Sequence, residues 1–331
     1  ITTPEQLAQL AWLVNEKNNT FEGKVIVLAA DINLTKEDQG KRVVWLPIGF
    51  KNIFKGVFLG VDTREGSDRK RHSISGMYVD ATTNALSDMG YFGLFGRCDG
   101  FVGHLQLLDA SVKAVATGGV WSKGLISAGL LCGINQKDDR MYVKETNNSD
   151  TFYMEPGFTH VDVKGTLDID GGESTDIGGV CGNILNGEIT HSTAKVTVNG
   201  PGRANGIGGI CGVLGYPYYT DELEAHILDC AADVTFECTK SSAKYMGGIA
   251  GFVSYNTDVK GCSSTGTMSK YLGNETGGIA GLQDYKTTVM ACTSTVTFSN
   301  VSSEIGYLGG ITGRLGASSD RTGTTVEGCV Y

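Results

Sequence analysis

Short runs in which apolar and polar residues alternate, each only a few residues long and bounded by glycine, dominate the second half of this chain. Ala194-Lys195-Val196-Thr197-Val198 is representative. Its two-residue period and β-branched side chains predict a strand with one buried side. Between such runs a five-residue signature recurs: glycine, glycine, apolar, small, glycine. It reads Gly178-Gly179-Val180-Cys181-Gly182, Gly208-Gly209-Ile210-Cys211-Gly212, Gly247-Gly248-Ile249-Ala250-Gly251, Gly277-Gly278-Ile279-Ala280-Gly281 and Gly309-Gly310-Ile311-Thr312-Gly313. Looser forms stand upstream at Gly129-Leu130-Leu131-Cys132-Gly133 and Gly93-Leu94-Phe95-Gly96. Their terminal glycines lie 37, 49, 30, 39, 30 and 32 residues apart. That spacing is a base period of about 30 lengthened by insertions.

A second column keeps the same phase. The segments beginning at Cys230, Cys262 and Cys292 align without gaps over seven residues. Ser192–Val198 and Val161–Leu167 fit the same frame, and Cys329 begins another copy. One circuit of about 30 residues cannot bury its own inward side, but stacked circuits can, pairing edge to edge at about 4.8 Å. The expected fold is therefore all-β: a right-handed, single-stranded parallel β-helix whose inward positions form ladders of Val, Ile and Cys. Each buried Val or Ile contributes about 1.5–3 kcal/mol. The glycines mark places where the coil bends tightly or where a neighbouring backbone leaves no room for a Cβ.

The period changes at the start of the chain. Leu7, Leu10, Ala11 and Val14 follow i, i+3, i+4, i+7 spacing and form one apolar helical face. Thr3 is a suitable N-cap, Pro4 fits the first helical position, and Gln6 completes a capping box. Such a helix, over residues 3–17, would cover the open first coil and its unpaired strand edges. The expected organisation is one domain, 1–331: the cap, irregular first coils over 18–90, and regular repeats over 91–331.

Composition adds limits. Of 331 residues, 40% are hydrophobic and 19% charged, which describes a folded chain. The 48 glycines are about twice the usual share, yet only 5 prolines occur and no G-X-Y period, so collagen and disordered linkers are excluded. A net charge of −9 argues against nucleic acid as partner. The basic run Arg69-Lys70-Arg71-His72 adjoins Asp62, Glu65 and Asp68 and reads as a solvated loop. No apolar stretch reaches the 18 residues of a transmembrane helix. The chain opens at Ile1, almost on the helix start and without an initiator Met, so an export signal or anchor upstream is expected.

Candidate chemistry is sparse. The 9 cysteines include no CxxC pair and no Cys/His set at zinc spacing. A column in which Cys exchanges with Ser and Val describes a small semi-apolar filler. His160 and His191 each stand one place before that column, with no Cys nearby at ligand spacing. No HExxH, GxSxG or phosphate-cradling loop is present. Asp168, Asp170, Glu173 and Asp176 crowd one stretch and offer hard oxygen ligands for Ca²⁺, although their spacing matches no known calcium loop; a solvated acidic turn is the alternative. No other cofactor is expected. Two insertions are aromatic: Tyr216-Pro217-Tyr218-Tyr219, and Phe152-Tyr153-Met154 within residues 135–158. Their rings either stack on a sugar or anchor a protein partner, or they pack their own loop onto the rod.

At these glycine motifs the chain resembles proteins carrying the GLUG repeat, whose Gly-Leu-apolar-Gly core is matched literally by Gly93-Leu94-Phe95-Gly96. The leader is similar too, with Thr3-Pro4-Glu5-Gln6, Lys24-Val25-Ile26-Val27-Leu28 and Trp45-Leu46-Pro47-Ile48-Gly49. One departure is the longer charged loop Asp62 to Arg71, where similar proteins have a short turn. The resemblance implies a bacterial surface protein of the Bacteroides type, with an adhesive or accessory role. The expectation is a non-catalytic extracellular binding module, monomeric, recognising glycan or host protein through Phe152, Tyr153, Tyr216, Tyr218 and Tyr219. The rival readings are a polysaccharide-active β-helix enzyme and a structural spacer. For the enzyme, Asn256-Thr257-Asp258 resembles the first catalytic motif of polygalacturonases. The further Asp-Asp pair and His that those enzymes carry downstream are absent after it.

Overall fold

The computed structural model describes residues 1–60, 71–82, 90–115, 126–135, 156–171, 174–200, 204–215, 224–238, 243–300, 305–316 and 323–331. It describes the backbone alone for 141–144 and 151–154. The fold is a parallel β-helix with four strands per circuit. One circuit shows the plan: Gly187–Thr190 on the first face, Thr193–Asn199 on the second, Ala204–Gly208 on the third and Cys211–Leu214 on the fourth. Ala225–Leu228 then returns to the first face one level on, with Ile189 paired to Ile227. Among the described residues the first face stacks nine strands, and the third and fourth stack seven each. The early coils join the first two stacks, since Val25–Val27 pairs Val57–Leu59 and Ile32–Asn33 pairs Ser73–Ser75.

In-register parallel pairing sets like residues above one another in the interior. Phe58, Val102, Phe158, Ile189, Ile227, Val259 and Val289 form one buried column of the first face. The expected cysteine ladder is present: Leu105, Val161, Ser192, Cys230, Cys262 and Cys292 are all buried, with Cys329 half-buried at its end. The Cys230, Cys262 and Cys292 thiols donate to Ile189, Ile227 and Val259 carbonyls one coil away, at 3.4, 3.6 and 3.5 Å. Cys132, Cys181 and Cys211 form a second ladder at the start of the fourth face. All nine cysteines are free, and burial drives the Cys238 thiol up to about 12.

The glycine signature makes the corner between third and fourth faces, and its three glycines are fixed by three different collisions. A Cβ on Gly178 would strike the Cys181 carbonyl across its own corner. One on Gly179 would strike the Gly209 carbonyl of the next coil. One on Gly182 would come within 2.5 Å of the Ala128 nitrogen on the previous coil's third-face strand. None of the glycines in the five full motifs has a positive φ, so close approach and not backbone freedom selects them. The result is a narrow arch whose two strands face each other and enclose a small second core. Val213, Phe252 and Leu282 form it with Tyr245, whose ring lies 4.9 Å from that of Phe252.

The corner between first and second faces works differently. His104, His160, His191, Asp229, Gly261, Ala291 and Gly328 occupy it in successive coils, all with φ between 48 and 65°. This left-handed residue turns the chain while its N–H still donates to the next coil: His160 to Thr190, His191 to Leu228 and Asp229 to Lys260, at 3.1, 3.0 and 2.9 Å. His and Asp tolerate that region better than most residues.

The N-terminal helix spans Pro4–Lys17 and buries Leu7, Leu10, Ala11 and Val14 on the same core as Leu28, Ile32, Ile48 and Phe54. Asn15 pins it, donating to the Pro47 carbonyl at 2.9 Å and accepting from the Lys51 N–H at 3.0 Å. Thr3 caps it through the Gln6 N–H, as expected. The Gln6 side chain, however, accepts from the N–H of Thr2 and not of Thr3, closing the box one residue further out.

Two measurements check this packing. Gly209→Ala is expected to lose about 1–3 kcal/mol in chemical denaturation, because the new methyl meets the backbone of the next coil and the Val234 and Ala232 side chains. Under native conditions a chromogenic disulfide reagent should titrate Cys329 alone, and all nine thiols only after unfolding.

Candidate functional site

Two of the insertions in the repeat fall at the same corner, between the fourth and first faces. The 136–156 insertion joins the fourth-face strand Cys132–Asn135 to the first-face strand Gly157–Thr159. Residues 216–223 join Cys211–Leu214 to Ala225–Leu228, across the same corner two levels on. The next two coils cross it with Ser254-Tyr255-Asn256 and Asp284-Tyr285-Lys286. From the first insertion to Tyr285 the edge runs four coil steps, about 19 Å at the usual strand spacing.

Phe152 and Tyr153 lie on the backbone of an antiparallel hairpin, Met141–Lys144 with Thr151–Met154, where Tyr142 is opposite Tyr153. Tyr216, Tyr218 and Tyr219 lie outside the described residues. Sequence reasoning missed Tyr255 and Tyr285, which sit singly in three-residue corners. Their ring centroids lie 4.9 Å apart with the planes tilted by 45°, both residues have positive φ, and the Lys286 ammonium lies 5.0 Å from the Tyr285 ring. The signal was available: both tyrosines stand four residues after the last glycine of a motif whose apolar column was already aligned.

The acidic stretch separates. Asp168 and Asp170 lie on the second face, where Asp168 accepts from Asn199 at 2.8 Å. Asp176 points into the glycine arch, accepting from Asn183 at 2.8 Å and Asn205 at 3.1 Å. Glu173 lies outside the described residues. Among the described residues no group of three or more His, Cys, Asp or Glu side chains is placed to hold a metal ion. Asp258, of the polygalacturonase-like tripeptide, is held by Lys260 at 2.8 Å and lies 3.4 Å from His226. No described helix is long and apolar enough to cross a membrane.

The model of a family described as the GLUG motif matches residues 173–199. That window runs through Thr175–Gly178, Cys181–Ile184, Gly187–Thr190 and Thr193–Asn199, which is one full circuit of the helix. The chain carries the GLUG motif. In three dimensions the motif is one four-strand turn with its glycine corner, and the structure repeats that turn beyond the matched window. Among solved structures the chain is similar to one titled "Crystal structure of a putative immunoglobulin A1 protease from Bacteroides ovatus". The two are 18% identical with a TM-score of 0.47, over 100% of this chain and 83% of that one. No curated protein matches the chain.

Within the GLUG turn, Asp176 is a buried carboxyl. Burial raises its carboxyl to about 6 against the opposing pull of two asparagine amides. A raised acid favours the folded state below its unfolded value near 4, and that advantage is lost as pH rises through 6. Between pH 4 and 7 the parent should therefore fall in stability relative to Asp176→Asn by up to about 3 kcal/mol, measured by denaturation at each pH. A gap independent of pH would contradict the assignment.

Proposed function

We propose that this GLUG-motif rod is a non-catalytic extracellular binding module that holds glycan or protein along its fourth-to-first corner. The observation that carries the reading is positional. The aromatic insertions bearing Phe152, Tyr153, Tyr216, Tyr218 and Tyr219 both belong to the corner where the Tyr255 and Tyr285 rings meet at 4.9 Å. The β-helix supplies a rigid edge with a fixed spacing, and insertions on one edge of a solenoid are where its binding residues gather. Aromatic side chains there offer large contact area at small entropic cost.

Glycan cleavage is the weaker reading. It needs two carboxylates facing one another across a bond, one of them with raised affinity for its proton. The described carboxylate with that property is Asp176, which is 4% exposed and walled in by the arch. Asp258 is neutralised by Lys260. Nothing about that pair resembles a general acid opposite a general base.

The test is a glycan and protein binding array with the purified chain, repeated for the triple variant Tyr216, Tyr218 and Tyr219→Ala and for the double variant Tyr255 and Tyr285→Ala. Binding that falls at least tenfold in either variant, with unchanged circular dichroism, supports the corner. Binding that both variants retain moves the site elsewhere on the rod.

A further inference from the structure

A trough of about 300 Å³ lies on the outside of the second face, away from the tyrosine corner. Its lining follows from the two-residue period of the strands. Asp162, Thr193, Ala231 and Ser263 stand in register on four successive coils, and Lys164, Lys195, Asp233 and Thr265 stand beside them, two residues on. The first column is short at Ala231 and Ser263, while the second is long at Lys164 and Lys195. In-register stacking therefore extends the dip into a channel parallel to the rod axis. Three coil steps make it about 14 Å long at the usual strand spacing. Leu108, from the coil before Asp162, lines one end, where the register shifts between Leu107 and Ala110.

We infer that this trough binds a neutral, unbranched polysaccharide lying along the rod axis, at a site separate from the tyrosine corner. Other polymers fail on their own chemistry. An extended peptide draws its affinity from backbone bonds to a free sheet edge. The strand Thr193–Asn199 offers none, being paired on one side to Asp162–Asp170 and on the other to Ala231–Cys238. A polyanion needs positive charge of one sign, whereas Lys164 and Lys195 share the trough with Asp162 and Asp233. An acyl chain needs apolar walls, and these are charged. A sugar chain needs donors and acceptors at a short, regular interval beside small side chains on which its rings can lie, and the trough has both. The Lys195 ammonium lies 2.6 Å from Asp233, with the side chains 67% and 44% exposed. Such a pair is worth little by itself, so both ends are able to turn to sugar hydroxyls, the carboxylate accepting and the ammonium donating. Asp162 is held more firmly, 2.8 Å from the Arg71 guanidinium and accepting from the Thr193 hydroxyl at 2.7 Å.

The experiment is calorimetric titration of the full chain with cellohexaose, xylohexaose and chitohexaose, with polygalacturonate and heparin as anionic controls. At least one neutral hexaose should bind with a Kd below about 1 mM. The matching disaccharide, which meets fewer coils, should bind at least tenfold more weakly. The double variant Ala231→Ile and Ser263→Ile fills the floor with side chains that suit a strand. It should weaken the hexaose at least tenfold with unchanged circular dichroism. Lys195→Ala and Asp233→Ala leave the floor intact and should each weaken binding at least threefold. The double variant Tyr255 and Tyr285→Ala should leave it unchanged. No binding of any neutral hexaose at millimolar concentration would overturn the inference. So would tighter binding of either polyanion, or hexaose binding that survives the two isoleucines. Hexaose binding lost in the tyrosine variant would also overturn the trough, while leaving the proposed function of the corner standing.

Discussion

Edge-to-edge pairing of one coil with the next, in register and parallel, is the constraint on which everything else in this molecule depends. It satisfies the backbone of each strand, and it also dictates side-chain chemistry, because whatever stands at one level must tolerate its own kind directly above and below. Inside, that demand selects Val, Ile, Phe and small thiols. At the glycine corner it selects the absence of a side chain, three times per coil and for three separate collisions. Outside, the same demand produces contacts that nothing in the core requires: imidazole stacked on imidazole at one corner, a tilted pair of phenols at the other.

The proposed function rests on where the pairing permits variation. The second-face strands and the glycine arch are too tightly enclosed to accept insertions in the regular coils, and Asp176 shows what even one charged group inside the arch entails. The fourth-to-first corner has no such enclosure. There the chain crosses in two residues, three residues or more than twenty without shifting the register of the strands on either side. That edge keeps the strand register while its length changes, and Tyr255 and Tyr285 lie on it.

Much of this was legible in the residues. The 30-residue period, the Cys230–Cys262–Cys292 column and the capping helix are statements about spacing, and spacing survives folding when each repeat contacts only its neighbours. The candidate site was less legible, for a definite reason. Sequence proximity grouped Asp168, Asp170 and Asp176, but a strand end and a corner lie between them and send the last into the arch. Conversely, His160, His191 and Asp229 are separated by 31 and 38 residues and become neighbours only when the coils are stacked. The columns were aligned for the interior; the same alignment, extended to the residue before each cysteine, would have exposed the histidine ladder. Tyr255 and Tyr285 were overlooked because a single aromatic in a three-residue corner carries no pattern until its neighbour is known.

The stacking itself is best tested by an experimental structure of the chain, and the quantity to read is the Cα separation of Cys230 from Cys262 and of Cys262 from Cys292. The account requires both to be about 4.8 Å, with all three thiols facing inward. Separations of more than about 7 Å, or thiols on the outer surface, would contradict the coil assignment and the corner site built on it.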